Sequence, residues 1–233
     1  MKEYELLNLK DKEKSIVKRL YKNSDIKKYI CNLENELYLI NLRYTDRPNL
    51  EDYPNIEKHL LPYKNILLDR PQTGTLQSAL ANGYWYVMST SRRVNMEKEK
   101  IVAPQRSNTN TFGYNECEWY AMSDVFFITP LDNHFNLKYI LALLNSKLYY
   151  FWLYHKGKRK GENLELTQTP LSEIPIKDIP LKEQEVFINL VDRIIEGKKS
   201  GIDMRELEEE VDRLVYRLYE LSEEEIKIIE GKD

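Results

Sequence analysis

The sequence predicts an α+β fold, in which a twisted mixed or antiparallel β-sheet packs on a buried helix and a C-terminal helical hairpin follows. Three observations predict this class. Residues 137–153 are apolar around the whole circumference of a helix, so this helix must be buried. Residues 83–130 contain short β-branched and aromatic runs separated by polar, turn-forming residues. From residue 184 onward, apolar residues recur at helical spacing.

The N-terminal part of the chain carries mixed signals. Residues 1–35 are charged and weakly helical, with one apolar stripe. Residues 36–42, ELYLINL, predict the first strand. Pro54 is suited to the first turn of a helix, and residues 63–70 form an apolar run that we expect to be buried.

Four further runs predict the strands of the sheet, at residues 84–88, 100–103, 118–122 and 125–129. Between them, residues 89–95 and 104–115 form two loops rich in Arg, Ser, Thr and Asn. Side chains of these types hydrogen-bond phosphates and base edges in nucleic-acid complexes. Ordinary solvated loops are the alternative interpretation.

Residues 137–153 predict the core helix of a globular domain. A stretch of this length with Lys138 and Lys147 inside is too short and too polar to span a bilayer. We predict that Asn145 and Ser146, in the middle of the helix, bond to neighbouring backbone rather than to a ligand. The chain has no N-terminal apolar segment and no apolar run of membrane-spanning length, so we expect a cytoplasmic protein without a membrane partner.

A cationic run follows the core helix. It contains Lys156, Lys158, Arg159 and Lys160. Cations at a helix C-terminus complement the helix dipole, so a structural explanation exists without any ligand. We expect residues 158–160 to form a mobile cluster.

The C-terminal part is helical. Residues 184–195 place their apolar side chains on one face, and Asp203 can cap a second helix with the alternating 4 and 3 spacing of coiled coils. Ser222 and Glu225 form a capping box for a last short helix. We therefore predict a recognition domain over residues 1–180 and a helical hairpin with its tail over residues 181–233.

The net charge of −3 conceals an uneven distribution. Residues 64–160 carry 13 Lys and Arg against 7 Asp and Glu, whereas residues 181–233 carry 9 against 16. A basic middle segment in an acidic protein suits a surface that binds a polyanion. The 17 tyrosines suit a recognition surface as well as the edge of a core.

Known catalytic signatures are missing from the sequence. It has no Gly-rich phosphate loop, no G-x-S-x-G motif and no spacing of Cys and His that would bind zinc. Cys31 and Cys117 are interpreted as reduced packing residues. We therefore predict no catalytic residue, no metal site and no cofactor bound by this chain.

The chain carries five segments in a characteristic order: YPNIEKHLLPYKNILLDR, KIVAPQRSNTNTFGYN, SDVFFITP, LKYILALLNSKLYYFWL and LSEIPI. Their order and spacing resemble the C-terminal specificity domain of TaqI-like adenine-N6 DNA methyltransferases and of the fused type IIG restriction-modification enzymes. The elements LNSKL and IPI also resemble type I specificity subunits. The segment DRLVYRLYELSEEEIKIIEG is similar to the helical tail of such proteins, so the resemblance covers residues 15–230.

The resemblance implies a DNA target recognition domain without its catalytic half. In that family a methyltransferase domain precedes this one and carries the S-adenosylmethionine loop and an N-P-P-[YF] motif, and this sequence has neither. The expected partners are double-stranded DNA and a methyltransferase catalytic domain or subunit, which would hold S-adenosylmethionine. The chain alone is expected not to be an enzyme.

The DNA-binding residues are assigned from residue chemistry rather than carried over from the family. For reading base edges we select Arg92, Arg93, Arg106, Asn108 and Asn110. For phosphate contacts we select Arg70, Ser107, Lys156, Lys158, Arg159 and Lys160. The alternative is a protein-interaction module or a type I-like specificity-subunit module that acts through its helical hairpin, which an exposed apolar seam would favour.

Overall fold

The computed structural model of the chain describes residues 3–71, 74–88, 96–121 and 123–231. The chain folds into two compact units. Unit 1 comprises Met1–Leu20 and Glu36–Val94, and unit 2 comprises Tyr21–Asn35 and Asn95–Asp233. The division differs from the predicted boundary at residue 180, because the helical hairpin shares the core of unit 2.

Among the described residues, unit 1 contains five α-helices, one strand pair and three short 3₁₀ helices, at Tyr44–Asp46, Leu50–Asp52 and Leu61–Tyr63. The α-helices are α1 (Glu3–Leu6), α2 (Asp11–Ile16), α3 (Pro54–Leu60), α4 (Lys64–Leu68) and α5 (Gly74–Ala81). Strands β1 (Val17–Tyr21) and β2 (Tyr38–Ile40) pair antiparallel, with Val17 opposite Ile40. The N-terminal segment, predicted to be weakly helical, thus turns into a strand at Val17, and the first predicted strand is confirmed as β2.

Two expectations for unit 1 are wrong. Residues 63–70 are mostly exposed rather than a buried run, with a helix at Lys64–Leu68, and Ile66 is 69% exposed. Residues 84–88 form turns rather than a strand, although Trp85 and Val87 are buried as a strand core would be. The carbonyls of those two residues accept hydrogen bonds from the Arg70 guanidinium, so a side chain takes the place of a neighbouring strand.

Among the described residues, six of the seven strands of unit 2 form two small antiparallel sheets of three strands each instead of one large sheet. The seven strands are β3 (Lys100–Pro104), β4 (Arg106–Ser107), β5 (Gly113–Asn115), β6 (Tyr120–Ala121), β7 (Val125–Ile128), β8 (Lys158–Lys160) and β9 (Asn163–Glu165). β3 is central between β5 and β7, with Ile101 opposite both Tyr114 and Ile128. β9 is central between β4 and β8. The expected α+β class is confirmed.

The helices of unit 2 bury the main core. They are α6 (Leu137–Asn145), α7 (Lys147–His155), α8 (Gln168–Ser172), α9 (Leu181–Lys199), α10 (Arg205–Leu218) and α11 (Glu223–Glu230). Leu141 and Leu144 of α6 are buried in one cluster with Val191 of α9 and Val215 of α10. Among the described residues, no helix combines the length and the apolar composition that crossing a bilayer requires.

The predicted core helix is broken at Ser146. The backbone of Ser146 is extended, and its hydroxyl accepts a hydrogen bond from the backbone of Tyr149 as the N-cap of α7. The Asn145 side chain bonds both backbone groups of Phe112, at 3.1 Å to the nitrogen and 2.9 Å to the oxygen. Both polar residues therefore bond to backbone, as predicted, and Asn145 ties the helix end to the loop before β5.

The segment of residues 21–35 lies on β5 within unit 2. The backbone of Tyr29 donates to Phe112 and accepts from Tyr114. A Cβ at Gly113 would lie 2.8 Å from the carbonyl oxygen of Ile30, a separation that real side chains do not adopt. Glycine at 113 therefore allows this close approach of two backbones.

The C-terminal hairpin is present, and its predicted apolar seam of Leu207, Val211, Leu214 and Leu218 packs against the main core. Val211 is fully buried and the three leucines are partly buried, while Val215 on the same helix is also fully buried. The Asp203 carboxylate accepts from the first helical residue of α10, and the capping box of Ser222 is formed at the start of α11. A seam that packs against the core does not favour the interaction-module alternative.

Candidate nucleic-acid interface

The small sheet β4–β9–β8 brings the loop arginine and the cationic run together. Arg106 is opposite Glu165 on β9, and Glu165 is opposite Lys158 on β8. Residues directly opposite one another across a sheet share a face, and side chains alternate along a strand. Lys160, two residues after Lys158, therefore shares this face. We call it the cationic face.

The cationic run is a strand in a tight hairpin, not the mobile cluster that we expected. Lys160 pairs with Asn163 across a two-residue turn. The first turn residue, Gly161, has φ +62°, a conformation that suits the first central position of a type II′ turn. Helix α7 ends at His155, so Lys156 lies at its exposed C-terminus while the next cations enter the strand.

Glu165 links the two cations on the cationic face. Its Oε1 accepts from Nε of Arg106 at 3.2 Å, and its Oε2 lies 3.0 Å from Nζ of Lys158. The Glu165 side chain is 8% exposed, against 46% for Arg106 and 67% for Lys158. The hydrogen bond from Lys158 and, after it, the bond from Arg106 lower the pKa of Glu165 below its ordinary value, despite the opposing effect of burial.

The opposite face of the same sheet packs inward. Leu164 is buried in the main core and lies opposite both Ser107 and Arg159. The Arg159 guanidinium stacks 4.1 Å from the ring centre of Tyr154. Arg159 and Ser107 therefore lie on the other face from Lys158 and Arg106, although all were predicted to bind DNA.

Asn110 is a structural residue rather than the base reader that we predicted. It is 1% exposed, and its amide nitrogen donates to the carbonyls of Leu144 (2.7 Å) and Ser146 (2.8 Å). These carbonyls lie at the break between α6 and α7, where the helical hydrogen bonds end. Both hydrogens of the Asn110 amide bond these two carbonyls. A polar loop sequence does not indicate which of its side chains is buried in this way.

Arg70 is also committed to backbone. Its guanidinium donates to the carbonyls of Leu67 (2.8 Å), Val87 (3.1 Å) and Trp85 (2.7 Å) in unit 1. Burial lowers its pKa. The predicted phosphate contact is therefore replaced by a structural role, while Arg92 and Arg93 lie outside the described residues.

An open cleft of about 530 Å³ adjoins β4 in unit 2. Among the described residues that line it, four are cations and none is an anion; the cations are Lys27, Lys28, Arg106 and Lys198. The rest of the lining consists of the polar residues Asn23, Ser24, Ser107, Thr109 and Thr111 together with the apolar Ile26 and Pro104. The exposed Asn108 lies between two of these lining residues in the same loop. The DNA-binding residues selected from the sequence did not include Lys27, Lys28 and Lys198. The adjacent lysines at positions 27 and 28 were the sequence signal that could have indicated a basic surface.

The cations of the cleft differ in how firmly they are held. Lys28 donates to the Asn145 carbonyl at 2.8 Å, and burial lowers its pKa although Glu208 and Asp212 oppose the shift. Lys198 pairs with Glu208 at 2.6 Å. Lys27 is exposed.

The described residues contain no group of three His, Cys, Asp or Glu that could hold a metal ion.

Comparison with known proteins identifies similar sequences and a similar fold. Residues 18–176 match the family model of the TaqI-like C-terminal specificity domain. The chain is 27% identical over 223 residues to the type II methyltransferase M.MjaIV of Methanocaldococcus jannaschii, covering 92% of this chain and 72% of that protein.

A solved structure shares the fold. The type IIL restriction-modification enzyme MmeI, in complex with DNA, superposes with a TM-score of 0.67 at 12% identity, over 95% of this chain. The chain spans 31% of that enzyme.

Proposed function

Because the chain belongs to the family of TaqI-like C-terminal specificity domains, we propose that it recognises duplex DNA for a restriction-modification system. The observation that carries this proposal is the β4–β9–β8 sheet. It places Arg106, Lys158 and Lys160 on one face. Arg106 also lines the cleft that contains Lys27, so cations of the sheet and of the cleft are available to DNA.

The residues on this surface divide the work of binding. Arg106 combines an anchored guanidinium with partial exposure, which suits bidentate bonding to guanine O6 and N7. The exposed Asn108, two residues later, has the amide that pairs with adenine N6 and N7. Lys158 and Lys160 are point charges on exposed stems, which suit phosphates.

Binding of this kind must depend on salt, because neutralised phosphates release counterions. We expect the purified chain to bind a labelled random duplex weakly at low salt, with the logarithm of affinity falling linearly as the logarithm of salt rises, by about 0.9 per phosphate contacted. Fluorescence anisotropy over a salt series measures both quantities. Lack of binding at low salt would contradict the proposal.

We further propose that methyl transfer requires a catalytic domain or subunit outside these residues. That part would hold S-adenosylmethionine and accept the flipped adenine, while this chain sets the position on the DNA. The similar protein M.MjaIV is a methyltransferase of which the chain covers 72%.

We expect no methyl transfer to DNA by the purified chain. The sequence contains neither the N-P-P-[YF] motif nor a Gly-rich loop to place a cofactor. A filter assay with radiolabelled S-adenosylmethionine and duplex DNA measures the transfer, and the control is the same reaction with an added methyltransferase. Transfer by the chain alone would reveal an active site on it.

A further inference from the structure

Glu165 is an acidic side chain at the centre of a surface that we propose binds a polyanion. Electrostatics alone disfavours a carboxylate there, because it repels phosphates and reduces the net positive charge. It is nevertheless 8% exposed and bonded on both oxygens. This placement suggests that Glu165 orients the side chains that it bonds, Arg106 and Lys158.

The contact with Arg106 leaves one edge of the guanidinium available. Glu165 Oε1 accepts from Nε of Arg106, and the bonds within the described residues include no partner for the two terminal nitrogens. A guanidinium is planar and carries its donors in a rigid fork. With Nε occupied, the terminal pair is the edge that can offer two parallel N–H groups to guanine O6 and N7.

The contact with Lys158 fixes the carboxylate itself. Oε2 of Glu165 lies 3.0 Å from Nζ of Lys158, on the opposite side from Arg106. The three residues are in register on adjacent strands, and the Leu164 side chain beside them is buried. The carboxylate is therefore held by the sheet at its backbone and by two cations at its oxygens.

We propose that Glu165 is a positioning residue, which holds the Arg106 guanidinium so that its terminal edge faces a guanine. The inference rests on the proposed function and adds a residue that sets specificity without touching DNA. Its effect should be on discrimination between bases. Removing its negative charge should leave overall affinity unchanged or raise it.

The test compares the sequence preferences of variants of the full chain. Duplexes with randomised base pairs are incubated with the protein, and the bound fraction is sequenced. The wild type should enrich guanine at one position. Arg106→Ala and Glu165→Met should each reduce that preference at the same position by at least about fivefold, the lower end for one bidentate contact. Glu165→Gln keeps one acceptor oxygen and should retain part of the preference.

Three further measurements separate positioning from folding. Glu162→Met removes one negative charge from the exposed turn of the same hairpin and should leave the preference intact. The double variant Arg106→Ala with Glu165→Met should lose no more preference than Arg106→Ala alone. The affinity of the Glu165→Met variant for a random duplex should not fall. A variant whose sheet is misfolded would instead bind every sequence less tightly.

The outcomes distinguish the two proposals. A wild-type chain that binds no DNA overturns both. Loss of the guanine preference in Arg106→Ala but not in Glu165→Met overturns the positioning role and leaves DNA recognition standing. A uniform loss of affinity in Glu165→Met also overturns it, because that result indicates a structural role for the carboxylate.

Discussion

Replacing Lys27, Lys158 and Lys160 by Gln should lower the affinity of the chain for every duplex by up to about 500-fold in about 0.1 M salt. Each phosphate contact contributes about 0.9 to the slope of log affinity against log salt, so three contacts contribute about 2.7 powers of ten at that concentration. All three lysines are exposed, and a glutamine amide at position 158 can still donate to Glu165, so these replacements should leave the fold intact. The slope of log affinity against log salt should become shallower by about 2.7.

Anisotropy titrations with random and selected duplexes measure this loss, and a thermal melt of each variant checks the fold. The matched control replaces three exposed cations on the helices of the hairpin by Gln, namely Lys182, Arg193 and Arg217. This control changes the net charge equally and should alter affinity little. Equal losses in the two variants would show that binding depends on net charge and not on the cationic face.

Replacing Val215 by Asp should destabilise unit 2 by roughly 3–5 kcal/mol, because it buries a carboxylate without a partner. Val215 is fully buried in the cluster that joins α10 to α6 and α9. A loss of this size approaches the total stability of an ordinary domain. The melting temperature followed by circular dichroism should fall steeply, or the cooperative transition should disappear.

Arg213→Asp places the same side chain on the exposed side of α10 and serves as the control for Val215→Asp. It should change stability far less, since an exposed carboxylate keeps its water. If the Val215 variant melts like the wild type, the seam is open to solvent. That result would favour the alternative in which the hairpin is a protein-interaction surface.

The sequence predicts well those elements whose signals are local. β3 and β7 follow from β-branched runs, and the C-terminal helices follow from apolar spacing. The capping box of Ser222 and Glu225 depends on two residues three positions apart, so it could be read without the fold.

Other features depend on partners that are distant in the sequence. The Arg70 guanidinium bonds the carbonyls of Trp85 and Val87, and nothing within residues 84–88 indicates this partner. The cleft combines lysines at 27 and 28 with Arg106 and Lys198, from three separate segments. Asn110 and Asn108 belong to the same polar loop and have similar chemistry, yet only the fold shows that the first is buried and the second exposed.

The Asn110 anchor has a consequence for how such a protein could acquire a new DNA target. Within three residues, the loop combines side chains with opposite tolerance to change: Asn110 holds the helix break, whereas Asn108 is exposed and makes no contribution to the buried core. On the proposed function, substitution at the exposed position would alter the chemistry offered to DNA at little cost in stability. Because the anchor is retained, each new side chain is presented from the same backbone, and specificity can diverge while the scaffold stays constant.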